Sequence, residues 1–243
     1  NTSINAIGGR LMTKKLILPL LTSLIFSACQ DPAPSDQVTA CSLNYEQAMR
    51  EYEELITDND QNNDPPSMPR ECKIPEVEPG ANLVFSVVLK DFNFEQEDKM
   101  KDALERAKIV LNSKIFRERV LNHTFEGQKT FVDNNGMSNE EIYNSIMEGA
   151  ETLFPEVDEE MDLDITLYYR NNSTVGYTYP DTTRIWVNSK FFNTYSLGQV
   201  AANVVHEWTH KLGYDHSRGS TPQRPFSVPY GVGTIIKELV DGM

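Results

Sequence analysis

Hydrophobic positions change character three times along the chain. Residues 16–26 are almost wholly apolar, residues 30–80 are dominated by Pro, Asp, Asn and Glu, and from about Asn82 strand-like and helix-like periods alternate. LVFSVVLKDF (83–92) is apolar and β-branched and predicts a strand. Asn93 and Gln96 have capping-box spacing and open a helix predicted to reach Asn112. Residues 114–126 predict a second strand. Ser138 and Glu141 repeat the capping-box spacing ahead of a helix to about Phe154, and the acidic run Glu156–Asp164 reads as a solvated turn. DITLYYR (164–170), TVGYTYP (174–180) and TRIWVNS (183–189) predict three strands, and Ser196 with Gln199 opens a third helix. This order describes an α+β fold, a mixed sheet with helices packed on it, spanning residues 82–243.

The apolar stretch near the start has a different meaning. Lys14 and Lys15 precede it, Ser27 and Ala28 follow it, and it is too short to span a bilayer, with Pro19 inside it. That is the layout of a signal peptide beginning at Met12, with residues 1–11 reading as upstream sequence. Its end, Phe26-Ser27-Ala28-Cys29, resembles the lipobox of bacterial lipoproteins. The resemblance implies acylation of Cys29 and a lipid-anchored place in a bacterial cell envelope, at the outer membrane; without acylation the chain is secreted. The segment 29–81 is then an acidic, Pro- and Asn-rich extension with one helix predicted from Tyr45 to Ile56. Asp58, Asp60, Asn62 and Asp64 alternate as the first ligands of a calcium loop do, but Asn63 replaces the turn glycine and Pro69 the final Glu, so a solvated loop is expected. Cys41 and Cys72 are a candidate disulfide in an exported chain, or else two unpaired thiols.

Charge removes one class of function. With 22 Lys and Arg against 36 Asp and Glu, the formal charge is −14. Such a chain lacks the basic footprint that a phosphate backbone requires, so nucleic acid is not an expected partner.

The chemistry concentrates in residues 206–216, His-Glu-Trp-Thr-His-Lys-Leu-Gly-Tyr-Asp-His. His206 and His210 are four apart, so a helix presents both imidazoles on one face, spaced for a single zinc ion. Leu197, Ala201, Val204, Val205, Trp208 and Leu212 form the opposite, core-facing side. Gly213 falls where the helix must end in a left-handed turn, which brings His216 back as a third nitrogen. Three protein ligands leave a fourth position open, the mark of a catalytic site. Glu207 points about 100° around the helix from His206 and serves better as general base for a zinc-activated water than as a ligand. At average residue frequencies this pattern arises by chance in roughly one chain in 10⁵ of this length. His123, outside the motif, reads as a surface or cap residue.

These residues match HExxHxxGxxH, and with Asp215 and Ser217 around the last histidine they resemble the matrixin version of the metzincin zinc metallopeptidases. The resemblance implies a twisted sheet with an antiparallel edge strand, an active-site helix and a small C-terminal part. It also implies endopeptidase activity, with Zn2+ on His206, His210 and His216, Glu207 as general base, and a protein or peptide substrate paired on the edge strand. TVGYTYP is the candidate for that strand. Metzincins follow the third histidine with a turn bearing Met beneath the zinc; here residues 227–230 read Ser-Val-Pro-Tyr, and either Val228 or Pro229 takes the Met place. That departure marks a divergent branch. Tyr230 is a candidate hydrogen-bond donor to the oxyanion, or a turn tyrosine packed on the helix, and Gly231–Met243 suits one short terminal helix. Two other functions share the same residues: an envelope protein that keeps zinc structurally and binds a partner, and a zinc amidase acting on cell-wall peptides.

Overall fold

The structure, a computed structural model, describes residues 73–243 and Arg50. The leader, Cys29, Cys41, Cys72, the loop at 58–64 and all of the helix predicted over 45–56 except Arg50 lie outside the described residues. No helix among the described residues is long and apolar enough to cross a membrane.

Strand β1 (Val84–Lys90) leads into α1 (Phe94–Leu111), whose capping box forms as predicted, with Gln96 N donating to Asn93 Oδ1 at 2.9 Å and Asn93 N to Gln96 Oε1 at 3.1 Å. The next element corrects the sequence reading. Lys114–Leu121 is a helix, α2, and not a strand. Ser113 caps it through Phe116 N, and Phe116 and Val120, four apart, are its two fully buried side chains. Helix α3 (Asn139–Glu148) starts at the Ser138–Glu141 box but stops at Gly149, short of the predicted Phe154.

The acidic run supplies a second correction. Strand β2 (Glu160–Tyr168) begins inside it, because Met161, Leu163, Ile165 and Leu167 alternate with the acids and are buried. After β3 (Gly176–Thr178) and β4 (Arg184–Asn188) come a single-turn helix α4 (Ser189–Phe192) and α5 (Leu197–Lys211). A 3₁₀ turn (Arg224–Phe226) then leads directly into α6 (Val228–Asp241). Residues 228–230 are therefore the first turn of a helix and not a loop; Pro229, at the second helical position, gives up an N–H that had no partner there.

The sheet has the order β1-β2-β4-β3, with β1-β2 and β2-β4 parallel and β3 antiparallel to β4 at the edge. This is a mixed α/β architecture with a four-stranded sheet and six helices among the described residues. One sheet face buries Leu163, Ile165, Leu167, Ile185 and Val187 against the helices. The other carries the Arg184–Asp164 ion pair and the clustered rings of Tyr168, Tyr177, Tyr179 and Trp186. Helix α5 runs through the middle of the core, with Val200, Ala201, Val204, Val205 and Trp208 buried and α6 packed alongside. Edge strand β3 can lie close to α5 because Gly176 has no side chain; a Cβ there would stand 2.7 Å from Asn203 Oδ1.

Candidate metal centre

His206 and His210 project from α5, and the chain beyond it returns His216 to meet them. The return starts at Gly213, whose φ of 89° is easy only for glycine. Tyr214 then fixes the turn: it is buried at 2% exposure, its hydroxyl lies 2.6 Å from Ser145 Oγ on α3, and its N–H donates to Thr209 O. One ligand atom from each of the three histidines lies within 4.8 Å of the others, and the Nε2 atoms of His206 and His216 are 3.2 Å apart.

These distances, with the tautomers, test whether the residues suit a cation. His210 Nδ1 faces Tyr214 O at 2.7 Å and His216 Nδ1 faces Ser217 O at 3.1 Å. A carbonyl only accepts, so each of those contacts requires the ring to donate, which leaves the opposite nitrogen with its lone pair. The 3.2 Å between His206 Nε2 and His216 Nε2 suits a ring-to-ring hydrogen bond and equally two nitrogens on one cation. Tetrahedral ligands about 2.05 Å from a zinc ion sit about 3.3 Å apart, close to the spacing observed. Electrostatics agree. Burial, with the neighbouring rings of His210 and His216, pushes His206 down to about 3, and burial lowers His210 as well, so both rings are neutral and ready to ligate at physiological pH. The three-histidine group could hold a metal ion, and it is the one such group of His, Cys, Asp or Glu among the described residues.

Glu207 occupies the face of α5 between Asn203 and Lys211, the side that meets β3. It is 5% exposed, and burial pushes its carboxyl up to about 8 against the opposing pull of Lys211. Lys211 is itself buried, brought down to about 8 by desolvation, and donates to Thr178 Oγ1 at 3.2 Å and Thr182 O at 2.7 Å. It ties the edge strand and the segment after it to the ligand-bearing helix. Tyr230 lies against two ligands, its ring 4.5 Å from that of His206 and 4.8 Å from that of His216.

His123 stands apart from the centre. It is half-buried and stacked on Phe131 at 3.8 Å, with Nδ1 3.0 Å from Thr130 O; a packed aromatic partner, and not a surface position, accounts for it. Several supporting residues escaped the sequence reading. Tyr214 and Ser217 act through backbone carbonyls, which leave no trace in residue type. Glu151 accepts from Trp208 Nε1 at 2.6 Å on the buried side of α5 and lies far from the motif in the chain. Comparison of the chain with protein-family models gives no match, and comparison with curated proteins gives none either.

Proposed function

We propose that this chain is a zinc-dependent endopeptidase of metzincin-like type, lipid-anchored through Cys29 in a bacterial envelope. The observation that carries the reading is the convergence of three imidazoles at ligand spacing, with the buried Glu207 following the first of them on the same helix. His206, His210 and His216 would hold the ion, which when bound polarises a carbonyl and makes nearby water more acidic.

The chain's own groups supply the rest. Glu207 takes a proton from the attacking water and returns it to the leaving amine; a carboxyl shifted up toward neutral pH is suited to both transfers. Tyr230 is the candidate donor to the oxygen that becomes negative, because its ring already rests on two of the histidines. The outer edge of β3 pairs with no other strand among the described residues, so an extended substrate backbone could add there as a further strand. Lys211 holds that edge in register with the helix.

Glu207→Gln is the direct test. The variant should bind zinc at the wild-type stoichiometry and keep its circular dichroism while peptide hydrolysis falls by about 10²–10⁴-fold. Cleavage at the wild-type rate would refute the assignment of the base.

A further inference from the structure

Arg224 is a charged side chain beside the candidate metal centre that the proposed reaction does not use. It opens the 3₁₀ turn ahead of α6, and its backbone is fixed on both sides: Arg224 N donates to Thr221 Oγ1 at 3.2 Å, and Ser227 Oγ donates to Arg224 O at 2.8 Å. The guanidinium carbon lies 4.7 Å from the centre of the Tyr230 ring, the same ring that packs on His206 and His216. Its charge is felt at both His206 and Tyr230.

Four other arginines of the fold have carboxylate partners, while Arg170 and Arg218 lie exposed. Arg184 pairs with Asp164, Arg106 with Asp102, Arg117 with Glu78 and Arg119 with Glu238. Among the described residues no carboxylate pairs with Arg224, no acceptor takes a hydrogen bond from its side chain, and its Nε is buried without a partner. Glu207 does not fill that role, since the cation acting on it is Lys211. A guanidinium is a planar fork of five donors, matched to the two oxygens of a carboxylate. This one is held on an aromatic ring at the edge of the candidate centre with those donors unused.

The surroundings sharpen the point. A chain of formal charge −14 repels an anionic ligand at long range. That repulsion is screened beyond about 8–10 Å at physiological salt, so a local cation decides which groups settle at the site. From this we infer that Arg224 binds a carboxylate of the substrate close to the bond that is cut, so that the preferred substrates are peptides carrying an acidic group there. The inference rests on the endopeptidase reading, and the carboxylate has two sources: the α-carboxylate of a chain end, or an Asp or Glu side chain.

A set of labelled peptides of one sequence separates the sources, each made with a free or an amidated C-terminus and with Glu or Gln at one internal position. Binding is read by fluorescence anisotropy on metal-free protein and on zinc-loaded Glu207→Gln, and hydrolysis on the zinc-loaded wild type. In one of the two pairs the carboxylate form should bind about ten- to a hundredfold more tightly than its neutral twin. The pair that shows the difference identifies the source. Arg224→Gln should abolish the difference, and Arg224→Lys, which keeps the charge and loses the fork, should keep part of it. Circular dichroism checks each variant, and if Arg224→Gln does not fold, the Arg224→Lys ratio decides. No discrimination by the wild type, or the same ratio in wild type and the Arg224 variants, overturns the inference. Hydrolysis without discrimination removes the role of Arg224 alone, whereas Arg224-dependent discrimination with no hydrolysis of any peptide removes the endopeptidase reading alone.

Discussion

Loss of one imidazole from the cluster should show first in how zinc affects unfolding. Folding brings the three ligand atoms to within 4.8 Å of one another, an arrangement the unfolded chain does not hold ready. A cation that binds only the folded form stabilises it by about 4 kcal/mol at a thousandfold excess over Kd. For a folded unit of this size, each kcal/mol moves Tm by roughly 2–4 °C, so saturating zinc should raise Tm by roughly 8–16 °C. Four-ligand zinc sites are worth about 10–16 kcal/mol, or roughly 3 kcal/mol per ligand, which makes the loss of one about a hundredfold in affinity. At the same zinc concentration His216→Ala would then retain about 1.4 kcal/mol of stabilisation and a rise of only roughly 3–6 °C. His123→Ala is the control, because His123 stacks on Phe131 away from the cluster; it should keep the full zinc-induced rise whatever its own Tm. Scanning calorimetry on chelator-treated protein, with and without added zinc, measures all three. An undiminished rise in His216→Ala, or an equal loss in His123→Ala, would refute the idea that His206, His210 and His216 share one ion.

Two further outcomes follow from the support around the site. Gly213→Ala should destabilise by about 1–2 kcal/mol in urea and weaken zinc binding, because a Cβ there meets only Thr152 Oγ1 at 3.7 Å and the cost is the left-handed backbone at φ 89°; Gly213→Asn should fall between the two, and an unaffected Gly213→Ala would show that the turn can re-form otherwise. Burial holds the Glu151 carboxyl above its usual pKa, with partial relief from Trp208 Nε1 and Asp162 N. The fold therefore favours protonated Glu151, and that contribution is complete below the unfolded carboxyl value of about 4.3 and is lost as pH rises through the raised folded value. Glu151→Gln should be increasingly favoured over the wild type as pH rises, in urea unfolding from pH 4 to 8, and a difference independent of pH would contradict the assignment.

The residues show why some elements could be read in advance and others could not. Capping boxes at Asn93, Ser138 and Ser196 are local chemistry, and all three open helices where the spacing puts them. Their far ends are less legible, since Gly149 ends α3 earlier than the run of residues to Phe154 suggests. Residues 160–164 were misread because two signals overlap there: acids at alternate positions read as a charged turn, while Met161 and Leu163 between them carry a strand's period of two. At 114–121 β-branched residues favoured a strand, but Ser113 as cap and the Phe116–Val120 spacing favoured a helix, and burial of that pair against the core decided the outcome.

The metal centre divides along the same line. The grouping of the three histidines and the left-handed turn at Gly213 were legible because they depend on residue type at fixed helical offsets. What orients two of the three histidines is a pair of backbone carbonyls, at Tyr214 and Ser217. A carbonyl is present at every residue, so no sequence pattern reveals which ones will be used. Both arrive with the turn that Tyr214 pins to α3. A metzincin carries a Met-bearing turn at this point; here the start of a helix supplies, in Tyr230, a ring packed on two of the histidines. Residues 227–230, which depart from the metzincin pattern that the histidine motif resembles, thus support the three-histidine group from α6.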